Sequence, residues 1–203
     1  MLSGCRSFDK VAGGLEDGTI TTVYGPESSG RTTFCMMASH TCAMLGKKVA
    51  YITCEKLSME RLKQICSEDF ETVASRVNFA FPRTIDGLER AIRNAKKIEG
   101  VGLFIVDPVN IYYWLEQNKE NVFIRSLAEI EMFVKERKIP ALLMAQTYEK
   151  EREIEPFGFN NIKRVSKLMV ELSSRCGKRY MRLTKGGERG LRVEYTIGKW
   201  GLI

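Results

Sequence analysis

Short apolar runs alternate with longer amphipathic segments along most of this chain. Runs rich in β-branched and aliphatic residues predict buried strands, and they cover residues 19–24, 48–53, 77–81, 101–107 and 141–145. Segments largely free of Pro and Gly, some with apolar residues every three or four positions, predict helices. These helices cover residues 33–45, 59–67, 86–97 and 118–138. The alternation predicts an α/β fold, with a mostly parallel sheet and helices on both faces.

The C-terminal part of the chain has a different pattern. Three strand-like segments at residues 168–173, 179–184 and 191–197 are separated by short glycine-containing turns, which predicts an antiparallel β meander. Residues 147–161 mix charges with Pro156 and Gly158 and predict a mobile loop. No apolar run approaches the ~20 residues of a membrane span. With no apolar signal core and no C-x-x-C pair, the chain is expected to be a single cytosolic domain over residues 1–203.

A glycine-rich loop lies between the first predicted strand and the first predicted helix. It matches the phosphate-binding pattern G-x-x-x-x-G-K-[ST] at every defined position but the lysine. Backbone N–H groups of such a loop point at phosphate oxygens, and the helix N-terminus adds positive charge. The predicted nucleotide-binding residues are Gly25, Pro26, Glu27, Ser28, Ser29, Gly30, Arg31, Thr32 and Thr33. The alternative is a glycine-rich structural turn.

Arg31 replaces the lysine of that pattern. A lysine is a slim point charge, whereas a guanidinium is wide, planar and forked. We therefore expect Arg31 to keep the attraction to phosphate but to lose the transition-state geometry. Loss of one such contact can cost on the order of 10²–10³ in rate, so hydrolysis is expected to be weak or absent.

Polar residues follow three of the other predicted strands. Glu55, Asp107 and Gln146 lie at their carboxyl ends, where ligands bind in open α/β sheets. Asp107 and the Thr32 hydroxyl are predicted to hold Mg²⁺. Glu55 is a candidate general base for water attack on a γ-phosphate, and Gln146 is a candidate γ-phosphate sensor. The alternatives are a capping Asp107 and an ordinary exposed Glu55.

Positive charge is concentrated in one segment. The net charge of the chain is +7, but residues 157–192, here named the basic segment, contain ten cations and two anions and carry +8. A basic surface confined to one region suggests a polyanionic partner such as DNA. The alternative is a solubilising face.

Several of these residues together resemble the core of the RecA/RadA recombinase family. The resemblance is carried by residues 13–20, 23–30, 51–55 and 58–62 and extends over nearly the whole chain, with the archaeal paralogs most similar in size. It implies a RecA-like P-loop NTPase core that uses ATP and Mg²⁺. By this resemblance, Glu55 is the catalytic glutamate, Asp107 the Walker B aspartate, and Gln146 the residue that heads a DNA-binding loop at residues 147–164. Basic strands at residues 165–203 would lie beside that loop.

The resemblance also implies a role in homologous recombination and DNA repair. Implied partners are single-stranded or branched DNA, the main recombinase or a nuclease, and further copies of the chain. Thr53 and Pro108 depart from the family pattern, which usually has aspartate and serine there. Aromatic help in DNA binding is expected from Tyr148, Phe157 and Phe159, which could equally pack the loop.

The resulting hypothesis is an ATP-binding, DNA-binding recombinase paralog with weak or absent hydrolysis. A KaiC-like regulatory ATPase that acts on protein partners shares the same core and remains an alternative. A small-molecule or nucleoside kinase fits the C-terminal meander poorly. A degenerate fold that serves only as a scaffold is a further alternative.

Overall fold

The computed structural model describes residues 1–116, 119–150, 153–187 and 190–203. The helices in these residues are α1 (Arg6–Ala12), α2 (Arg31–Met44), α3 (Met59–Cys66), α4 (Phe70–Arg76), α5 (Ile85–Ala95), α6 (Ile111–Leu115), α7 (Glu120–Arg137) and α8 (Phe159–Val165). The strands are β1 (Ile20–Tyr24), β2 (Lys48–Thr53), β3 (Val77–Ala80), β4 (Val101–Asp107), β5 (Ala141–Ala145), β6 (Thr147–Lys150), β7 (Glu153–Pro156), β8 (Leu168–Arg175), β9 (Lys178–Lys185), β10 (Arg192–Tyr195), β11 (Ile197–Gly198) and β12 (Gly201–Leu202).

Eight of these strands form one sheet in the order β10-β9-β8-β1-β5-β4-β2-β3. The strands from β8 to β3 in this order pair in parallel, and β8, β9 and β10 form an antiparallel meander. The predicted α/β fold with a C-terminal antiparallel meander is therefore confirmed. Two hairpins, β6–β7 and β11–β12, lie outside the sheet.

Helices cover both faces of the sheet. Phe34 of α2 and Leu62 of α3 are buried in one apolar cluster, together with residues of α1 and α4. Leu88 of α5, Leu127 of α7 and Ile162 of α8 are buried in a second cluster on the other face. Because side chains alternate along a strand, each central strand contributes to both clusters. No helix in the described part of the chain is long and apolar enough to cross a membrane.

Most predicted elements are present. Strands β2, β4 and β5 have the predicted bounds, and the Ser58 hydroxyl caps α3 by accepting a hydrogen bond from Arg61 N at 3.2 Å. The predicted start of the long helix at residue 118 lies outside the described residues. Short helices α1, α4, α6 and α8 were not predicted.

The prediction of a loop over residues 147–161 is wrong. Residues 147–150 pair with residues 153–156 as the antiparallel hairpin β6–β7, and α8 begins at Phe159. The pairing satisfies the backbone of a strongly charged segment, so the hairpin forms without an apolar alternation that a sequence pattern could reveal.

Candidate nucleotide and DNA site

The phosphate-binding loop connects β1 to α2 and packs against the C-terminal strands. Gly25 lies so close to β8 that a Cβ there would be 2.3 Å from the Leu172 carbonyl oxygen. Gly30 has a left-handed φ of 97°, which favours glycine. The Tyr195 hydroxyl donates to the Ser29 carbonyl at 2.6 Å, and burial raises the pKa of Tyr195 to about 12. The hydroxyl therefore stays protonated and holds the loop in place.

The loop has the features of an anion-binding cradle. The Ser29 hydroxyl is buried and has no hydrogen-bond partner among the described residues, while Glu27 and Ser28 are exposed at the mouth of the loop. A buried polar atom without a partner is costly, so it marks a place where a ligand or water completes the hydrogen bonding. The loop residues thus fit the phosphate chain that the sequence pattern predicts.

The predicted metal-binding residues are in contact. The Thr32 hydroxyl hydrogen-bonds the carboxylate of buried Asp107, and the Tyr51 hydroxyl donates to Asp107 Oδ2 at 3.1 Å. Burial raises the pKa of Asp107, while the Thr32 hydrogen bond and the charge of Arg31 act to lower it. A hydroxyl beside a carboxylate offers the oxygen ligands that Mg²⁺ prefers. The donor set therefore fits the predicted cation.

Glu55 and Gln146 also meet at this edge of the sheet. Gln146 Nε2 donates to Glu55 Oε1 at 2.5 Å, although the two residues are 91 positions apart. The structure therefore brings together the candidate base and the candidate sensor. Their hydrogen bond gives Gln146 a definite partner that a γ-phosphate would have to displace.

Arg31 reaches across the mouth of the loop. Its Nη1 donates to the carbonyl oxygen of Ala145 at 2.6 Å, at the carboxyl end of β5 and next to Gln146. The guanidinium thus already has an acceptor, a neutral carbonyl. A phosphate would be a stronger acceptor because it carries the opposite charge and can accept two parallel N–H···O bonds from one guanidinium.

Asn110 is a buried residue of the site that the sequence analysis missed. Its Oδ1 accepts from Gln146 N at 2.8 Å, and its Nδ2 donates to the carbonyls of Gln146 and Phe157, each at 2.9 Å. Asn110 therefore joins the two ends of the β6–β7 hairpin. The available signal was a polar residue three positions after Asp107, which is too weak to assign.

Three aromatic residues surround the hairpin stem. The Phe157 ring centroid lies 5.3 Å from that of Trp114 and 5.0 Å from that of Tyr148. This aromatic cluster lines a cavity of about 640 Å³ whose walls also include Arg31 and Gln146. Trp114, which was not predicted to take part, is 55% exposed. The cavity joins the aromatic cluster to the phosphate-binding loop.

Phe159 is not in the aromatic cluster. It is partly buried against the second apolar cluster, and Lys163 Nζ lies 5.2 Å from its ring centroid. Of the three aromatic residues predicted to contact DNA, Tyr148 and Phe157 are thus placed beside the loop, whereas Phe159 packs against the core.

The basic segment is divided between the two ends of the parallel strands. Arg175 and Lys178 are opposite each other at the β8–β9 turn. This turn lies beyond the carboxyl end of β1, and therefore on the side of the phosphate-binding loop. Lys163 and Arg164 end α8 near the amino end of β8. Glu188 and Arg189 lie outside the described residues. Only part of the basic segment is therefore on the loop's side of the molecule.

Several cations of the basic segment also have partners within the meander or at the end of α8. Arg182 is paired with Glu171 at 2.6 Å, and Lys178 with Glu194 at 3.2 Å. Lys185 Nζ donates to backbone carbonyls at the end of α8, and burial lowers the pKa of Lys185. Exposed ion pairs contribute little to stability, so Lys178 can exchange its partner for a phosphate at small cost.

No protein-family model matches the chain. A DNA repair and recombination protein RadB from Methanococcoides burtonii is 30% identical over an alignment covering 97% of this chain and 94% of the relative. Another RadB, from Thermoplasma volcanium, is 32% identical over 94% and 86% of the two chains.

The fold agrees with these relatives. A crystal structure of the RadB recombinase superposes with a TM-score of 0.85 at 27% identity, over all of this chain and 98% of that one. The resemblance to the RecA/RadA recombinases and the prediction of a recombinase paralog are therefore confirmed. On the strength of full-length similarity in both sequence and structure, this chain belongs to the RadB family of DNA repair and recombination proteins.

Proposed function

We propose that this chain binds ATP with Mg²⁺, binds DNA, and assists homologous recombination with weak or absent ATP hydrolysis. The observation that carries the proposal is the convergence of the phosphate-binding loop with Asp107, Glu55 and Gln146 at one edge of the sheet. This arrangement supports nucleotide binding more strongly than a structural turn, which needs none of these contacts. The RadB relatives support a role on DNA over a KaiC-like role on proteins.

Each residue of the site has a distinct part in this proposal. Backbone N–H groups between Ser28 and Thr33 would bind the phosphates, and Thr32 with Asp107 would hold Mg²⁺. Bound Mg²⁺ would neutralise charge on the phosphate oxygens. Once the hydrogen bond from Gln146 to Glu55 is broken, Glu55 would orient a water molecule. Arg31 would bind phosphate in place of the Ala145 carbonyl, with a geometry less suited to cleavage than that of lysine.

Calorimetric titration with Mg-ATP tests the nucleotide site. We expect saturable binding that weakens when Mg²⁺ is withheld, together with very slow phosphate release. The variant Asp107→Asn should lose the Mg²⁺ dependence because it removes the charged ligand. Absence of saturable heat with the unmodified chain would overturn the proposal.

The DNA part rests on the aromatic cluster and the nearby cations of the basic segment. Single-stranded DNA would lie with its bases on Trp114 and Tyr148 and its phosphates toward the β8–β9 turn. Filter binding with Trp114→Ala tests this placement, and an affinity about tenfold lower at unchanged salt dependence is expected. A DNA affinity that depends neither on salt concentration nor on Trp114 would contradict this placement.

Protein partners and self-association are part of the same proposal. As a protein that assists recombination, the chain would act together with the main recombinase or a nuclease, and a cytosolic location is part of the proposal. Light scattering with and without Mg-ATP tests self-association. Co-purification after nuclease treatment separates protein partners from proteins that are bridged by DNA.

A further inference from the structure

Asp107 depends on neighbouring hydroxyl groups for its position. It is 4% exposed, and the side chains that hydrogen-bond its carboxylate in the described part of the chain are Thr32 and Tyr51. Thr32 belongs to the proposed cation site, where its hydroxyl oxygen would turn to Mg²⁺. Tyr51 is therefore the partner that can hold the carboxylate from outside the cation site.

The register of the sheet places Tyr51 next to Asp107. Tyr51 of β2 pairs with Ile105 of β4, and Asp107 is two residues further along β4. Side chains two residues apart point to the same face of a strand, and here that face packs against α2. The Tyr51 hydroxyl therefore approaches the carboxylate from within the core, where it donates to Asp107 Oδ2 at 3.1 Å.

Both the ring and the hydroxyl of Tyr51 are held in place. Tyr51 is 1% exposed, and its ring centroid lies 5.3 Å from that of Phe79 in β3. The Cys35 thiol of α2 hydrogen-bonds the same hydroxyl. Since the hydroxyl proton is donated to Asp107, the thiol is the donor in this second contact. Burial raises the pKa of Tyr51 well above its usual value, so the hydroxyl keeps its proton.

Core packing alone does not account for a tyrosine at this position. A phenylalanine would fill the same space, and a buried hydroxyl costs free energy unless it is hydrogen-bonded. The hydroxyl either satisfies a buried carboxylate or orients it for a cation. Hydrogen-bond partners of metal-binding carboxylates have the second role in other sites, and their removal typically costs about 10–100-fold in metal affinity.

We propose that Tyr51 is a positioning residue of the cation site, which holds Asp107 through Oδ2 so that the carboxylate is already oriented when Mg²⁺ arrives with the nucleotide. The inference rests on the proposed function, because it takes the cation from it. It gives a core residue of β2 a part in the Mg²⁺ dependence of nucleotide binding. Loss of this one hydroxyl should therefore affect Mg-ATP and metal-free ATP differently.

The variant Tyr51→Phe tests this inference because it removes the hydroxyl and keeps the ring. Calorimetry with Mg-ATP, and with ATP in the presence of EDTA, gives two affinities for each variant. We expect Tyr51→Phe to weaken Mg-ATP binding about tenfold and to leave the binding of metal-free ATP unchanged. In an Asp107→Asn background the same substitution should have no further effect on Mg-ATP, because the carboxylate that it orients is already absent.

The matched control is Tyr195→Phe. It removes another buried hydroxyl, which donates to the Ser29 carbonyl of the phosphate-binding loop rather than to Asp107. We expect this variant to weaken both forms of ATP by the same factor, since the loop would bind the phosphates whether or not Mg²⁺ is present.

The outcomes separate this inference from the proposed function. If the unmodified chain binds neither form of ATP, the proposed nucleotide site itself fails. If Mg-ATP binds but Tyr51→Phe weakens both forms equally, or leaves Mg-ATP binding unchanged, the positioning role is overturned and the hydroxyl only satisfies a buried carboxylate. If Tyr51→Phe does not fold, Cys35→Ala takes its place, because it removes only the thiol that holds the hydroxyl. It should weaken Mg-ATP binding and spare metal-free ATP, and any other result would overturn the inference.

Discussion

Arg31 is the residue at which this phosphate-binding loop departs most from its pattern, and its guanidinium bonds to the Ala145 carbonyl. We predict that Arg31→Lys raises steady-state ATP turnover by at least about tenfold, because lysine restores a contact worth on the order of 10²–10³ in rate. Phosphate release at saturating Mg-ATP measures this.

The control for this prediction is a double variant. Arg31→Lys combined with Glu55→Gln should return turnover to the starting level, because Glu55 is the proposed base. If neither substitution changes turnover, the site binds nucleotide without catalysing its cleavage.

Asp107 illustrates a conflict between function and stability. Burial raises the folded-state pKa of Asp107 above the ordinary 3.8, so the ionised form is disfavoured in the folded protein. At neutral pH, where Asp107 is ionised, this penalty lowers the stability of the fold. We predict that Asp107→Asn stabilises the ligand-free protein by about 1 kcal/mol at pH 7.5, the lower end of the cost of an imperfectly compensated buried polar group.

The sign of the pH dependence provides the check on this prediction. As pH falls through the raised pKa of Asp107, the native carboxyl takes up a proton and the penalty disappears, so the advantage of Asp107→Asn should shrink toward pH 4. Thermal unfolding across this range measures the difference. An advantage that grows on acidification would show that Asp107 is stabilised as a carboxylate.

At the level of elements, the junction of β1 with β8 depends on Gly25. We predict that Gly25→Ala destabilises the fold by about 2 kcal/mol, because the new Cβ would meet the Leu172 backbone carbonyl, which cannot move without disturbing β8. Chemical denaturation measures the change in the free energy of unfolding. Gly87→Ala is the matched control, since its nearest neighbour is the Thr84 hydroxyl at 3.2 Å and α5 gains helix propensity. A Gly25→Ala protein as stable as Gly87→Ala would contradict the prediction.

The elements also show what a sequence pattern can reveal. The central strands were predictable because each is a nearly continuous apolar run, as parallel strands buried on both faces are. The β6–β7 hairpin was not, because its stability comes from backbone pairing and from Asn110 rather than from an apolar face. Trp114 was missed for a related reason: α6 has five residues, too few to show a helical period.

Some residues of the site could be predicted from the sequence, whereas some contacts between them could not. Thr32, Glu55 and Asp107 could be selected because each has a fixed place relative to a strand or the phosphate-binding loop. The contact between Arg31 and Ala145 joins residues 114 positions apart, and no local spacing encodes it. Contacts of this kind depend on strand order, which the sequence did not determine.

At the scale of the whole molecule, only the part of the basic segment on the side of the phosphate-binding loop should bind DNA. We predict that Arg175→Gln with Lys178→Gln lowers the slope of log affinity for single-stranded DNA against log salt by about 1.4, or 0.7 for each lost phosphate contact. Filter binding across a salt series measures the slope.

The matched control comes from the same segment. Lys163→Gln with Arg164→Gln removes the same charge near the amino ends of the parallel strands and should leave the slope nearly unchanged. Equal effects of the two double variants would mean that DNA is attracted by net charge rather than bound on the side of the phosphate-binding loop.

The triple hydrogen bonding of Asn110 has a mechanical consequence. Because one buried amide bonds to both ends of the β6–β7 stem, these two ends stay together, and a shift of Gln146 would move both strands at their base. Tyr148 is only two residues beyond Gln146, so a rearrangement at Glu55 would be passed directly to the residue where the proposed DNA contact begins.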